Sequence, residues 1–121
     1  MATDGLIVST VQGVTTASLR ATTVLDSLVI EELGSALYEL VDAQACRKIV
    51  VEFRGVTFLA SQMLGVLVTL DYKARAIKGK VVLCGLQPKL MEVFKITGLD
   101  RRLSFAADEA AAMGKFDAAA G

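Results

Sequence analysis

The spacing of apolar positions changes several times along this chain, and each change marks a new element. LIVSTV, Leu6 to Val11, is a short apolar run that predicts a first strand. Gln12-Gly13 breaks it. The Thr- and Val-rich run from Val14 to Ala21 then predicts a second strand, antiparallel to the first in a hairpin. A polar turn leads to Asp26 and Ser27, both candidate N-caps. From about Leu28 to Ala45 the spacing becomes helical. Ile30, Leu33, Leu37, Leu40 and Val41 share one face, and Glu31, Glu32, Glu39 and Asp42 lie away from it. Acidic residues in the first turn complement the helix dipole.

The chain is organised around Ile49 to Leu70, IVVEFRGVTFLASQMLGVLVTL. It reads as a strand (Ile49 to Phe53), a turn with Gly55, and a second short apolar run, Val56 to Leu59. Ala60, Ser61 and Gln62 are small or polar. Met63, Val66, Leu67, Leu70, Ala74 and Ile77 then follow at helical spacing. Ser61 stands just before that pattern and reads as its N-cap. The helix, from about Gln62 to Lys78, ends in a basic turn (Lys73, Arg75, Lys78) with Gly79 as C-cap glycine. A helix N-terminus at the end of a buried strand is where α/β proteins place binding or covalent chemistry. Residues 60–63 are therefore the expected site.

Val81 to Cys84 is fully apolar, as suits a strand buried in a parallel sheet. Pro88 opens a third helix, to about Thr97, with Leu90, Val93 and Phe94 on its inner face. Leu103 to Phe105 predicts a short edge strand, and Asp108 caps a last helix through Met113. Strands alternating with helices predict an α/β fold with a mixed sheet, its later strands parallel and joined by right-handed crossovers. A length of 121 residues fits one domain over residues 1–113, followed by a flexible Ala/Gly-rich tail over residues 114–121.

Composition mostly removes possibilities. The chain has no histidine, which excludes Ser-His-Asp and Cys-His catalysis and His-based metal sites. Cys46 and Cys84 are far apart and read as two reduced thiols. No enzyme activity, cofactor or metal is expected. No apolar run reaches the roughly 20 residues of a membrane span, and the N-terminus lacks a basic leader pattern. The expectation is a soluble, cytoplasmic protein with no membrane partner. Net charge is zero but segregated: residues 1–46 carry six acidic groups and one basic, residues 47–121 twelve basic and seven acidic. Without a basic excess, no nucleic-acid partner is expected. The segregation can steer a charged protein.

Three stretches together resemble the STAS family, the anti-sigma factor antagonist domain. They are VVEFRGVTFLAS with LGVL, then KGKVVLCGLQPKLMEVFKITGLDRRL, then DEAAAM. The resemblance covers about Leu25 to Met113. It implies a mixed sheet of four to five strands packed with about four helices. It also implies a partner switch, in which the unmodified domain binds an anti-sigma factor or serine-kinase-like protein and phosphorylation of a loop serine releases it. By position Ser61 matches that phosphoacceptor and Asp26 a common acidic residue, in loops that lie near each other in the family. Asp26, Ser27, Ala60, Gln62 and Met63 would then form the partner-binding surface.

The chain departs from the family where Asp, Ser, Ser, Gly is usual, with Ala60, Ser61, Gln62 and Met63. Only the first serine survives, with Gly65 at the later glycine. Two further readings therefore stand beside the switch. Apolar Ala60 and Met63 suit a constitutive scaffold or a weak homo-oligomer. A nucleotide or anion at the same helix N-terminus is the other, although no glycine-rich phosphate loop is present.

Overall fold

The alternating residues at the start fold as the expected hairpin. In a computed structural model describing residues 5–20, 23–24 and 26–120 (side chains through 116), β1 (Leu6–Val11) pairs antiparallel with β2 (Val14–Leu19). Gln12 and Gly13 both take positive φ, 53° and 79°, as a two-residue hairpin turn requires. Ala21, expected to end the second strand, lies outside the described residues, as does the N-terminal segment read for a leader.

The chain continues through β3 (Thr23–Val24), α1 (Ser27–Asp42), β4 (Lys48–Glu52), β5 (Phe58–Leu59) and α2 (Ser61–Ala76). After these come β6 (Lys80–Cys84), α3 (Pro88–Ile96), a 3-10 turn (Leu99–Arg101), β7 (Ser104–Ala106) and α4 (Glu109–Ala120). The main sheet has the order β1-β2-β4-β6-β7, and every pairing after the hairpin is parallel. A mixed sheet with late parallel strands was the expected architecture. Helices covering both faces explain the unbroken apolar runs over residues 49–51 in β4 and 81–84 in β6.

One face carries Ala17, Leu19, Ile49, Val51, Val81 and Leu83 against Ile30, Leu33, Leu37, Met63, Leu67, Leu90 and Phe94. Phe94 also meets Phe105 edge-on, with centroids 5.3 Å apart and planes at 76°. The other face is smaller: Val14, Val50, Val82 and Cys84 pack against Ala112 and Phe116 of α4. Burial there, then the nearby carboxylates of Glu52, Glu109 and Asp108, push the Cys84 thiol up to about 12. Both cysteines are free thiols.

Most element ends shift by one or two residues, and three differences from expectation are larger. α1 stops at Asp42 rather than Ala45, because Ala45 takes a left-handed φ of 52°. Thr23–Val24, expected as polar turn, is a strand paired in parallel with Phe58–Leu59. The last helix does not end at Met113 but crosses Gly114 and runs to Ala120. Alanine is the best helix former, and Phe116, 3% exposed, anchors that extension on the second sheet face. Among the described residues no helix is long and apolar enough to cross a membrane.

Candidate partner-binding site

The two-stranded β3–β5 pair builds the site. Thr23 lies beside Phe58 and Val24 beside Leu59, and the Ala60 N–H donates to the Val24 carbonyl at 2.8 Å. Each strand leads at once into a helix, so α1 and α2 begin side by side at one pole of the molecule. The helices stay close further along. A Cβ added at Gly34 would lie 3.3 Å from Val66 Cγ2.

Asp26 caps α1 as expected. Its backbone is extended, and Oδ1 accepts from the Leu28 N–H at 2.8 Å and the Val29 N–H at 3.2 Å. Ser27 follows as the exposed first helical residue. Removing the cap in Asp26→Ala should lower stability by about 1 kcal/mol, while Asp26→Asn keeps most of it. Thermal denaturation of the pair checks this; equal melting of the two variants would show that the carboxylate is not the cap.

Ser61 is not the N-cap of α2. That position belongs to Ala60, with φ −73° and ψ 156° and no side-chain hydrogen bond, and Ser61 is the first helical residue. The shift has a long-range cause. The bond from Ala60 N–H to Val24 fixes Ala60 in extended backbone, and its own carbonyl accepts from the Met63 N–H at 2.9 Å. The Ser61 hydroxyl is consequently exposed and hydrogen-bonded to none of the described residues. The first N–H groups of α2 receive no side-chain acceptor.

Gln62 is exposed beside Ser61, and Ala60 is half-buried against the core. Met63 departs from its expected place on the partner surface: it is 0% exposed. It opens the inner face of α2 that continues through Val66, Leu67 and Leu70, and so fills the core.

Three exposed apolar side chains lie on the elements that form the two helix starts. They are Leu28 (66% exposed) and Val29 at α1, and Phe58 (64%) on β5. None was singled out from the sequence, because VTFL reads as a buried run and Leu28–Val29 as ordinary helix. For Leu28 and Val29 the usable signal was their place off the inner face of α1. A groove of ≈ 440 Å³ runs between the helices, lined by Ile30, Glu31, Gly34, Ser35, Tyr38, Gln62 and Val66. Among the described residues no group of acidic or thiol side chains could hold a metal ion.

The exposed Ser61 hydroxyl at the start of α2 and the exposed apolar side chains of Leu28, Val29 and Phe58 thus belong to the paired strand-to-helix junctions of one pole. The chain belongs to the STAS domain family, whose model matches residues 7–112. A relative from Bordetella bronchiseptica, BtrV, carries the name of an anti-sigma factor antagonist. It is 30% identical over 95 residues, 78% of this chain and 72% of that protein. An anti-sigma factor antagonist from Mycobacterium paratuberculosis superposes with a TM-score of 0.80 at 22% identity, over 91% of each chain. The Bacillus cell fate determinant SpoIIAA in its phosphorylated form gives 0.69 at 19% identity, over 88% of this chain and 95% of that one. These structural likenesses establish the fold, a five-stranded mixed sheet with four helices.

Proposed function

We propose that this chain is a cytoplasmic anti-sigma factor antagonist of the partner-switching kind. Its α1/α2 pole binds an anti-sigma factor with serine kinase activity, and phosphorylation of Ser61 releases that partner. The observation that carries the reading is the free, exposed Ser61 hydroxyl at the first position of α2, beside Leu28, Val29 and Phe58.

A phosphate adds roughly 1.5 to 2 negative charges. At Ser61 it meets unpaired backbone N–H groups and the positive end of the α2 dipole, so the domain accommodates it. A partner packed on the apolar ring would instead have to desolvate the new charge. The name of BtrV and the phosphorylated form of SpoIIAA support the same reading.

The test is incubation of the wild type and Ser61→Ala with the cognate kinase and ATP, followed by intact mass. One phosphate on the wild type and none on the variant is the expected result. If a genuine partner binds while Ser61 never gains phosphate, the switch is wrong. A constitutive interaction module then remains, the reading favoured by Ala60, which supplies no carboxylate beside the serine.

A further inference from the structure

Part of the segregated charge gathers in two patches on opposite flanks of the helix layer. The acidic one is the outer face of α1, a hollow of ≈ 370 Å³ lined by Leu28, Glu31, Glu32, Ser35, Ala36 and Glu39. All three glutamates are exposed, and the ion pairs found among the described residues involve none of them. The basic one lies where the second half of α2 meets the 3-10 turn. It is a hollow of ≈ 240 Å³ lined by Val68, Asp71, Tyr72, Arg75, Arg101 and Arg102.

Asp71 is already matched there, accepting from Arg75 Nε at 2.8 Å, and Arg75 also donates to the Arg102 carbonyl at 3.2 Å. The exposed guanidinium groups of Arg101 and Arg102 are left without a carboxylate. Each patch also holds one large exposed apolar side chain, Leu28 at 66% in the acidic hollow and Tyr72 at 73% in the basic one. The two patches are complementary in charge, and each adds one exposed apolar side chain to a contact between them.

One molecule cannot join its own two patches. Ala36 and Glu39 of the acidic hollow also line a cleft against Val8, Ser9 and Thr10 of β1, one edge of the sheet. The 3-10 turn of the basic hollow leads into β7, the opposite edge. We infer that the chain associates head to tail with a second copy of itself, the acidic face of α1 in one copy seated on the Arg101–Arg102 patch of the next. Patches on opposite edges make the contact heterologous, so association does not close at a dimer. The inference goes beyond the partner-switch reading and does not depend on Ser61.

Sedimentation velocity over a concentration series, at about 20 mM and about 500 mM salt, tests it, because exposed ion pairs weaken as the Debye length shrinks. The wild type should sediment faster with concentration at low salt, past the dimer value, and as a monomer at high salt. Arg101→Glu with Arg102→Glu, and separately Glu32→Lys with Glu39→Lys, should each weaken association at least about tenfold. The acidic hollow shares Leu28 with the proposed partner surface, so partner binding is read on the Arg101→Glu, Arg102→Glu protein, whose two positions lie outside both the α1–α2 groove and that hollow.

An equimolar mixture of the two charge-reversed proteins should associate again, since each supplies the patch that the other lacks. That recovery also shows both variants folded. A wild type monomeric at every concentration in low salt overturns the inference. So does undiminished association of either variant, or a mixture that stays monomeric.

Discussion

Ser61→Asp should melt no lower than the wild type and bind the partner at least about 100-fold more weakly, the order expected when a charge is buried unpaired in an interface. The two signs come from one position. Ser61 is the first residue of α2, whose N-cap provides no side-chain acceptor, so a carboxylate there meets free N–H groups and the helix dipole. Such placement stabilises by roughly 0.3 to 1 kcal/mol. The side chain is exposed and its hydroxyl bonds to none of the described residues, so nothing inside the domain is lost. A partner covering Leu28, Val29 and Phe58 would instead bury the carboxylate at its own cost. Ser61→Ala is the control and should bind normally. Calorimetric titration with the partner, alongside thermal melts, separates the outcomes. Equal affinity of Ser61→Asp and wild type would mean that the partner does not pack on this pole.

What the sequence made legible here was whatever rests on local periodicity. Val81 to Cys84 could only be a strand buried on both faces, and it is. The inner face of α2 was visible as Met63, Val66, Leu67 and Leu70, and Asp26 as a cap from its place before an apolar period. The errors lie where a distant contact decides. As the last hydroxyl before the helical pattern, Ser61 reads as the N-cap. The choice is made by Val24, 36 residues earlier, through its bond to Ala60. Two-residue strands such as β3 and β5 carry no period to read.

Met63 was pulled two ways. Its place in the motif put it on the partner surface, and its spacing put it in the core. Spacing prevailed, since burial of a large apolar side chain contributes about 1.5 to 3 kcal/mol, and Met63 is 0% exposed. The tail shows the converse. Gly114 looked like a stop, but Phe116 finds an apolar sheet face that only the folded chain provides. The same logic applies to function: the charge segregation was legible as a count, whereas its division into two flanks was not.

The largest expected loss of stability comes from one methyl group, in Gly79→Ala. Gly79 was expected as the C-cap glycine, but the C-cap is Ile77 and the left-handed residue is Lys78, at φ 63°. Gly79 is required for space instead. A Cβ would lie 2.6 Å from the Arg47 carbonyl oxygen, 2.8 Å from Arg47 Cα and 3.1 Å from the Ala74 carbonyl oxygen. These are backbone atoms and cannot rotate away. The same Arg47 carbonyl accepts from the Lys80 N–H at 2.6 Å, and the Gly79 N–H donates to Ala74 at 2.7 Å. Relieving the clash therefore pulls the start of β6 from β4, where Lys80 pairs with Lys48. The cost should be about 3 kcal/mol or more, in the range of severe backbone substitutions, and should lower Tm by roughly 10 °C or more. Lys78→Gly, one residue earlier, should change stability in the opposite direction, by about 1 kcal/mol, by relieving a left-handed backbone that lysine tolerates poorly. Thermal melts of the two variants give the answer. Both melting near the wild type would mean that the α2–β6 junction yields, and that the close approach of Arg47 does not hold the sheet in register.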